Sequence, residues 1–137
     1  SRVAGSAVVY VRGRKRTKEI ADWLNQNRIS AAFYHAGLSN QERFKKQDAW
    51  IKNQIRVMVA TNAFGMGIDK PDVRVVVHID LPENLEAYYQ EAGRAGRDGQ
   101  KAYAVALFNR GDLGDFEKNI LQKYPPIESL KRVYQAL

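Results

Sequence analysis

Five short apolar runs, separated by stretches of helical periodicity, constrain this 137-residue chain more than any other feature. Residues 7–11 form a continuous apolar run of strand length. Ile20, Trp23 and Leu24 then recur at helical spacing, and residues 31–34 are a short second strand. Ser39 followed by Glu42 makes the pattern of a capping box. It opens a helix that runs to about Lys52, with Phe44 and Ala49 or Trp50 as packing residues. Residues 55–60 and 73–79 are β-branched runs, hence buried strands; Leu85, Tyr88 and Tyr89 make a helix face after Pro82; residues 102–108 are a further strand. Strands alternating with helices in this way predict an α/β fold with a mainly parallel sheet and helices on both faces. Such sheets bind ligands in the loops beyond the carboxyl ends of their strands.

The C-terminal part departs from this rhythm. Residues 112–123 read as a helix with Leu113, Phe116, Ile120 and Leu121 as apolar positions. Pro125-Pro126 breaks the chain, and residues 127–137 read as another helix with Leu130, Val133, Tyr134 and Leu137 on one face. The chain begins at a serine, which reads as an excised fragment.

The hydrophobic fraction of 45% is ordinary for a globular domain with a real core. No apolar run approaches a membrane span, and no signal peptide is visible. With zero cysteines the chain has neither disulfides nor cysteine-ligated zinc, which fits a cytoplasmic protein. The net charge of +7 favours a polyanionic partner, with plain solubility as the alternative.

Two basic segments stand out. Residues 90–99 place Arg94 and Arg97 three residues apart in a loop with three glycines. Glycine lets backbone approach a ligand closely, and the planar guanidinium fork suits phosphate oxygens. Solvated arginines in a tight turn, or ion pairs to Asp98 or Glu91, are the plain alternative. The run Arg12-Gly13-Arg14-Lys15-Arg16 follows a strand end and suits a nucleic-acid backbone, or is a solvated charge run. Thr61 and Asn62 also follow a strand end, where they can hold a phosphate or simply cap a helix. Trp23 and Trp50 read as packing residues, His78 as structural, and Lys70-Pro71-Asp72 as a turn. No Gly-x-x-x-x-Gly-Lys-Ser/Thr phosphate loop occurs, and no acidic motif after a strand is placed to hold magnesium.

Three blocks then carry a family resemblance. They are Tyr34-His35-Ala36-Gly37-Leu38 with Gln41-Glu42-Arg43; Val59 through Arg74, continuing into residues 77–82; and Tyr88-Tyr89-Gln90 through Gly99. In order and spacing they resemble motifs IVa, V and VI of the RecQ family of DNA helicases, within helicase superfamily 2. Phe64-Gly65-Met66-Gly67-Ile68-Asp69-Lys70-Pro71 is the wording specific to RecQ.

The resemblance implies a RecA-like three-layer domain over residues 1–110, the second of two motor domains, with residues 111–137 leading to a following domain. It implies ATP held at the seam with a first RecA-like domain, which would supply the phosphate loop and hold Mg2+. It makes Arg97 the arginine finger and Arg94 its support on the same phosphates. Gln90 would couple ATP to the partner domain, while Asp69 and Gly67 would face the nucleotide, or Asp69 would position the finger; a loop or helix cap is the plain alternative for Asp69. Arg14, and with it Arg12, His35, Thr61 and Asn62, would face single-stranded DNA, with a satisfied structural histidine as the alternative at His35. The family commonly has Asn-Ser-Arg where this chain has Arg12-Gly13-Arg14, so only Arg14 carries over directly. The implied activity is ATP-dependent 3′ to 5′ DNA unwinding in a bacterial cytosol or nucleoid, with the isolated fragment inactive. An RNA helicase half of the same superfamily and a non-catalytic nucleic-acid-binding module are the rival readings. Pro125-Pro126 differs from the cysteine-bearing continuation usual in the family.

Overall fold

The computed structural model of the chain describes residues 5–64, 70–82 and 84–107. Within these residues the strands are β1 (Ser6–Tyr10), β2 (Ala31–Tyr34), β3 (Val57–Ala60), β4 (Val73–His78) and β5 (Tyr103–Ala106). They form one sheet in the order β2-β3-β1-β4-β5, and every pairing is parallel. The helices are α1 (Arg14–Gln26), α2 (Asn40–Ile51) and α3 (Leu85–Ala92). The expected C-terminal helices over residues 111–137 lie outside the described residues.

The two faces follow from side-chain alternation along the strands. Val9 and Val11 point to one face, where Ala21 of α1 packs with Val57 and Val59. Val8 and Tyr10 point to the other, joined by Trp50 of α2, Met58, Phe64 and Val76. Leu85, Tyr88 and Ala92 of α3 cover Ala104 and Ala106 of β5 on that second face. The sheet is therefore sandwiched, as the α/β reading predicts.

Trp50 is the largest side chain in this core. Its indole N–H donates to the Ala7 carbonyl at 3.2 Å. Phe64 meets it edge-on, with ring centroids 5.2 Å apart. The capping box also forms as the sequence predicts: Ser39 Oγ accepts from the Glu42 N–H at 3.1 Å, and Glu42 accepts from the Ser39 N–H at 3.0 Å.

Three packing expectations are corrected. Trp23 is 60% exposed and Phe44 70% exposed. At 3.6 residues per turn, Trp23 sits about 110° from the stripe of Thr17, Ile20, Ala21 and Leu24, and Phe44 about 120° from Trp50. Tyr89 likewise faces outward while Tyr88 is buried, because Leu85, Tyr88 and Ala92 form the inward stripe. The strand at 55–60 begins at Val57, and β5 is shorter than its apolar run.

Candidate functional site

The arginine loop is built by hydrogen bonds at the amino end of β4. Asn84 caps α3 by accepting from the Ala87 N–H at 2.8 Å. At the other end of α3, a Cβ on Gly93 would stand 2.8 Å from the Tyr89 carbonyl oxygen, so only glycine lets the chain turn there. Gly96 N–H then donates to the Val73 carbonyl at 2.9 Å, and Asp98 N–H to Pro71 at 3.2 Å. These bonds tie the loop to the segment entering β4. Arg74, a charge in an otherwise apolar strand, completes the anchor: it binds the Asp98 carboxylate and donates to the Lys101 carbonyl at 3.0 Å. The Arg74 hydrogen bond holds the Asp98 carboxyl below its ordinary range, helped by the Gln100 N–H.

Within this frame Arg97 is exposed, with its Nε–H donating to the Gly93 carbonyl at 3.4 Å. Arg94 is half-buried, and its Nε–H donates to the Tyr10 hydroxyl at 3.1 Å. Gln90 is exposed on α3. Of the neighbouring carboxylates, Asp98 binds Arg74, and Glu91 binds His78 Nε2 at 2.9 Å. His78 is fully buried, as its structural reading requires. Asp69 and Gly67 lie outside the described residues.

Lys70 supports the same corner from beneath. It is 5% exposed and donates to Asp72 at 2.6 Å and Asn53 at 2.7 Å. The turn at Pro71-Asp72 is as expected, but its lysine is a buried anchor.

A second cluster lies at the opposite end of the sheet. A cleft of about 510 Å³ opens beyond the carboxyl ends of β1, β3 and β4. Arg12, Arg14, Thr61 and Asn62 all line it, together with Asp80. The basic run is not uniformly available to a ligand. Arg12 donates through Nη2 to the Leu81 carbonyl at 2.6 Å, and its backbone N–H to Asp80 at 2.7 Å. Arg16 is paired with both oxygens of Asp80, at 3.0 and 2.9 Å. Lys15 stands 3.8 Å from Glu19 at the surface. Arg14 instead reaches across towards Gly37, where an added Cβ would stand 2.9 Å from its Nη1.

His35 lines an adjoining depression that shares Arg14. Its Nδ1 accepts from the Gly37 N–H at 3.0 Å, and its ring stacks on Phe33. Desolvation, then the charges of Arg14 and Lys46, push its pKa below the ordinary value, so the ring is neutral at pH 7. A neutral imidazole offers hydrogen bonds there without adding charge.

Sequence reasoning assigned no site role to Tyr10, Arg74 or Asp80, and offered Glu91 an arginine partner where the structure pairs it with His78. Arg74 carried a usable signal, since a charge inside a β-branched run needs a buried partner. Tyr10 and Asp80 carried none, because their partners are distant in sequence.

Comparison with known proteins agrees with this geometry. Residues 1–99 match the helicase conserved C-terminal domain. The chain is 44% identical over 132 residues to the ATP-dependent DNA helicase RecQ of Pasteurella multocida, covering 96% of this chain and 20% of that protein. It is 45% identical over 108 residues to the ATP-dependent helicase SGS1 of Saccharomyces cerevisiae, covering 79% and 8%. It is 51% identical over 108 residues to a protein of Acanthamoeba polyphaga mimivirus named as an ATP-dependent RNA helicase, covering 79% and 20%. The chain thus spans a fifth or less of the length of these relatives. Among solved structures, it resembles the E. coli DEAD-box protein SrmB, with TM-score 0.75 and 30% identity over 90% of this chain and 73% of that one. A DEAD box protein from Methanococcus jannaschii gives TM-score 0.76 and 29% identity over 89% and 34%. The chain belongs to the helicase conserved C-terminal domain family, as the C-terminal domain of a RecQ-like helicase.

Proposed function

We propose that this chain is the second RecA-like motor domain of an ATP-dependent DNA helicase that moves 3′ to 5′ along single-stranded DNA. Residues 1–110 form the motor domain, and residues 111–137 lead to a following domain. The observation that carries this reading is the placement of two basic sites at opposite ends of one sheet. The arginine loop is bonded to the start of β4, while Arg14, Thr61 and Asn62 surround a cleft beyond the carboxyl ends. One site can meet a polyphosphate from across a domain seam while the other holds a strand.

Arg97 acts as the arginine finger. Its loop is pre-organised by backbone bonds, so placing the guanidinium needs little rearrangement at the moment of reaction. A finger of this kind is worth about 10³ to 10⁵ in rate in related NTPases. Arg94 supports the same phosphates, and Gln90, exposed on α3, couples them to the partner domain. Asp69 and Gly67 face the nucleotide. Among the described residues no group of three or more His, Asp or Glu side chains could hold a metal ion. By the family resemblance, magnesium and the phosphate loop are assigned to the first domain, and the chain alone does not turn over ATP. Arg12, Arg14, His35, Thr61 and Asn62 form the strand track. Contacts to phosphate make it independent of sequence. No described helix is long and apolar enough to cross a membrane.

The test is unwinding by the helicase that carries this domain, on DNA duplexes with a 3′ or a 5′ single-stranded tail and on the matching RNA. ATP-dependent opening of the 3′-tailed DNA is expected. Opening of RNA alone would replace this reading with the RNA helicase one, which the mimivirus relative favours.

A further inference from the structure

Tyr10 closes β1 and is 3% exposed, yet it touches both clusters. It forms part of the wall of the strand-end cleft. Its hydroxyl accepts the Arg94 Nε–H at 3.1 Å. Its ring is held firmly: it stacks on His78 with centroids 5.1 Å apart and planes 17° apart. His78 in turn is pressed against Tyr88 at 4.9 Å and bonded to Glu91 at 2.9 Å. Glu91 lies three residues before Arg94 and lines the same cleft. The Tyr10 ring therefore cannot turn without disturbing β4 and α3 together. Burial pushes the Tyr10 hydroxyl up to about 12, so it stays neutral at pH 7.

We propose that Tyr10 is a positioning residue for Arg94: its hydroxyl sets the plane of the guanidinium, and a strand seated in the cleft steadies Arg94 through the Tyr10 side chain. The inference rests on the reading of the arginine loop as a phosphate-handling device. A bond to Nε is directional in a way that matters for this role. It fixes the orientation of the whole planar fork, and a small misplacement of such a group is costly to the chemical step.

Tyr10→Phe in the helicase that carries this domain is the test, because it removes the hydroxyl and keeps the ring stack on His78. The kcat of strand-stimulated ATP hydrolysis is expected to fall by about tenfold to a hundredfold, the scale of losing one hydrogen bond to a charged group. KM for ATP and affinity for single-stranded DNA should stay close to wild type. In an Arg94→Ala background the same change should cost nothing further, because the bond it removes is already gone. A merely structural tyrosine would lower kcat alike in both backgrounds, and that result overturns the proposal. Unchanged kcat in Tyr10→Phe beside a crippled Arg94→Ala overturns the proposal and leaves the arginine reading standing. Unchanged kcat in Arg94→Ala overturns both.

Discussion

Arg74, buried at the start of β4, grips Asp98 in the arginine loop and donates to the Lys101 carbonyl beyond it at 3.0 Å. One residue thus holds the loop on the far side of Arg97 while Gly93 and α3 hold it on the near side. The Arg74 hydrogen bond lowers the Asp98 pKa from its ordinary value of 3.8. Such a group binds fewer protons in the folded chain than in the unfolded one at acid pH. Its stabilisation is complete above that ordinary value and is lost as pH falls through the lower, folded value. Asp98→Asn should therefore lower Tm at neutral pH and converge on wild type in strong acid. Thermal unfolding against pH checks this. Coincident curves for the two proteins would mean that the Arg74–Asp98 contact adds no stability.

Trp50 should be the most costly aromatic to truncate on α2. Trp50→Ala leaves a cavity against Phe64 and removes the bond to Ala7, and should cost about 3 to 5 kcal/mol. Phe44→Ala and Trp23→Ala remove exposed rings and should stay within about 0.5 kcal/mol. Denaturant midpoints would decide. Comparable losses at all three would contradict the helix faces described above.

The strand runs, the capping box and the parallel character of the sheet were legible because each rests on local signals: β-branched runs, Ser39 with Glu42, and alternation with helices. Helix faces were less legible. Trp23 and Phe44 were expected to pack because they are large and apolar, yet their angular positions turn them outward. At the site, the clustering of Arg12, Arg14, Thr61 and Asn62 follows from parallel strands ending at one edge. The division of labour within the basic run does not. Asp80 lies 64 residues from Arg16, and no local pattern reveals that it neutralises that arginine while Arg14 reaches elsewhere.

Salt dependence should expose this division. In the helicase that carries this domain, Arg14→Ala should weaken single-stranded DNA similarly for all sequences and reduce the salt slope by about 0.7. Arg16→Ala should change the slope far less, because Asp80 already offsets its charge. Affinity against salt for both variants is the measurement. Equal slopes for wild type and Arg14→Ala would mark the basic run as a solvated face.

The isolated 137-residue chain should unfold cooperatively and show ATPase activity at background, since its sequence has no phosphate loop. Calorimetry and phosphate release check the two halves of this statement. DNA-stimulated turnover by the chain alone would contradict the assignment of the phosphate loop to another domain.

The most direct measurement is single-turnover ATP hydrolysis by Arg97→Ala in the helicase that carries this domain, taken beside ATP affinity. Hydrolysis should slow by about 10³ to 10⁵, while affinity changes much less. Arg97→Lys should recover little, because a point charge does not reproduce the planar fork. Near-normal hydrolysis in Arg97→Ala would contradict the account and move the finger to Arg94 or out of this loop.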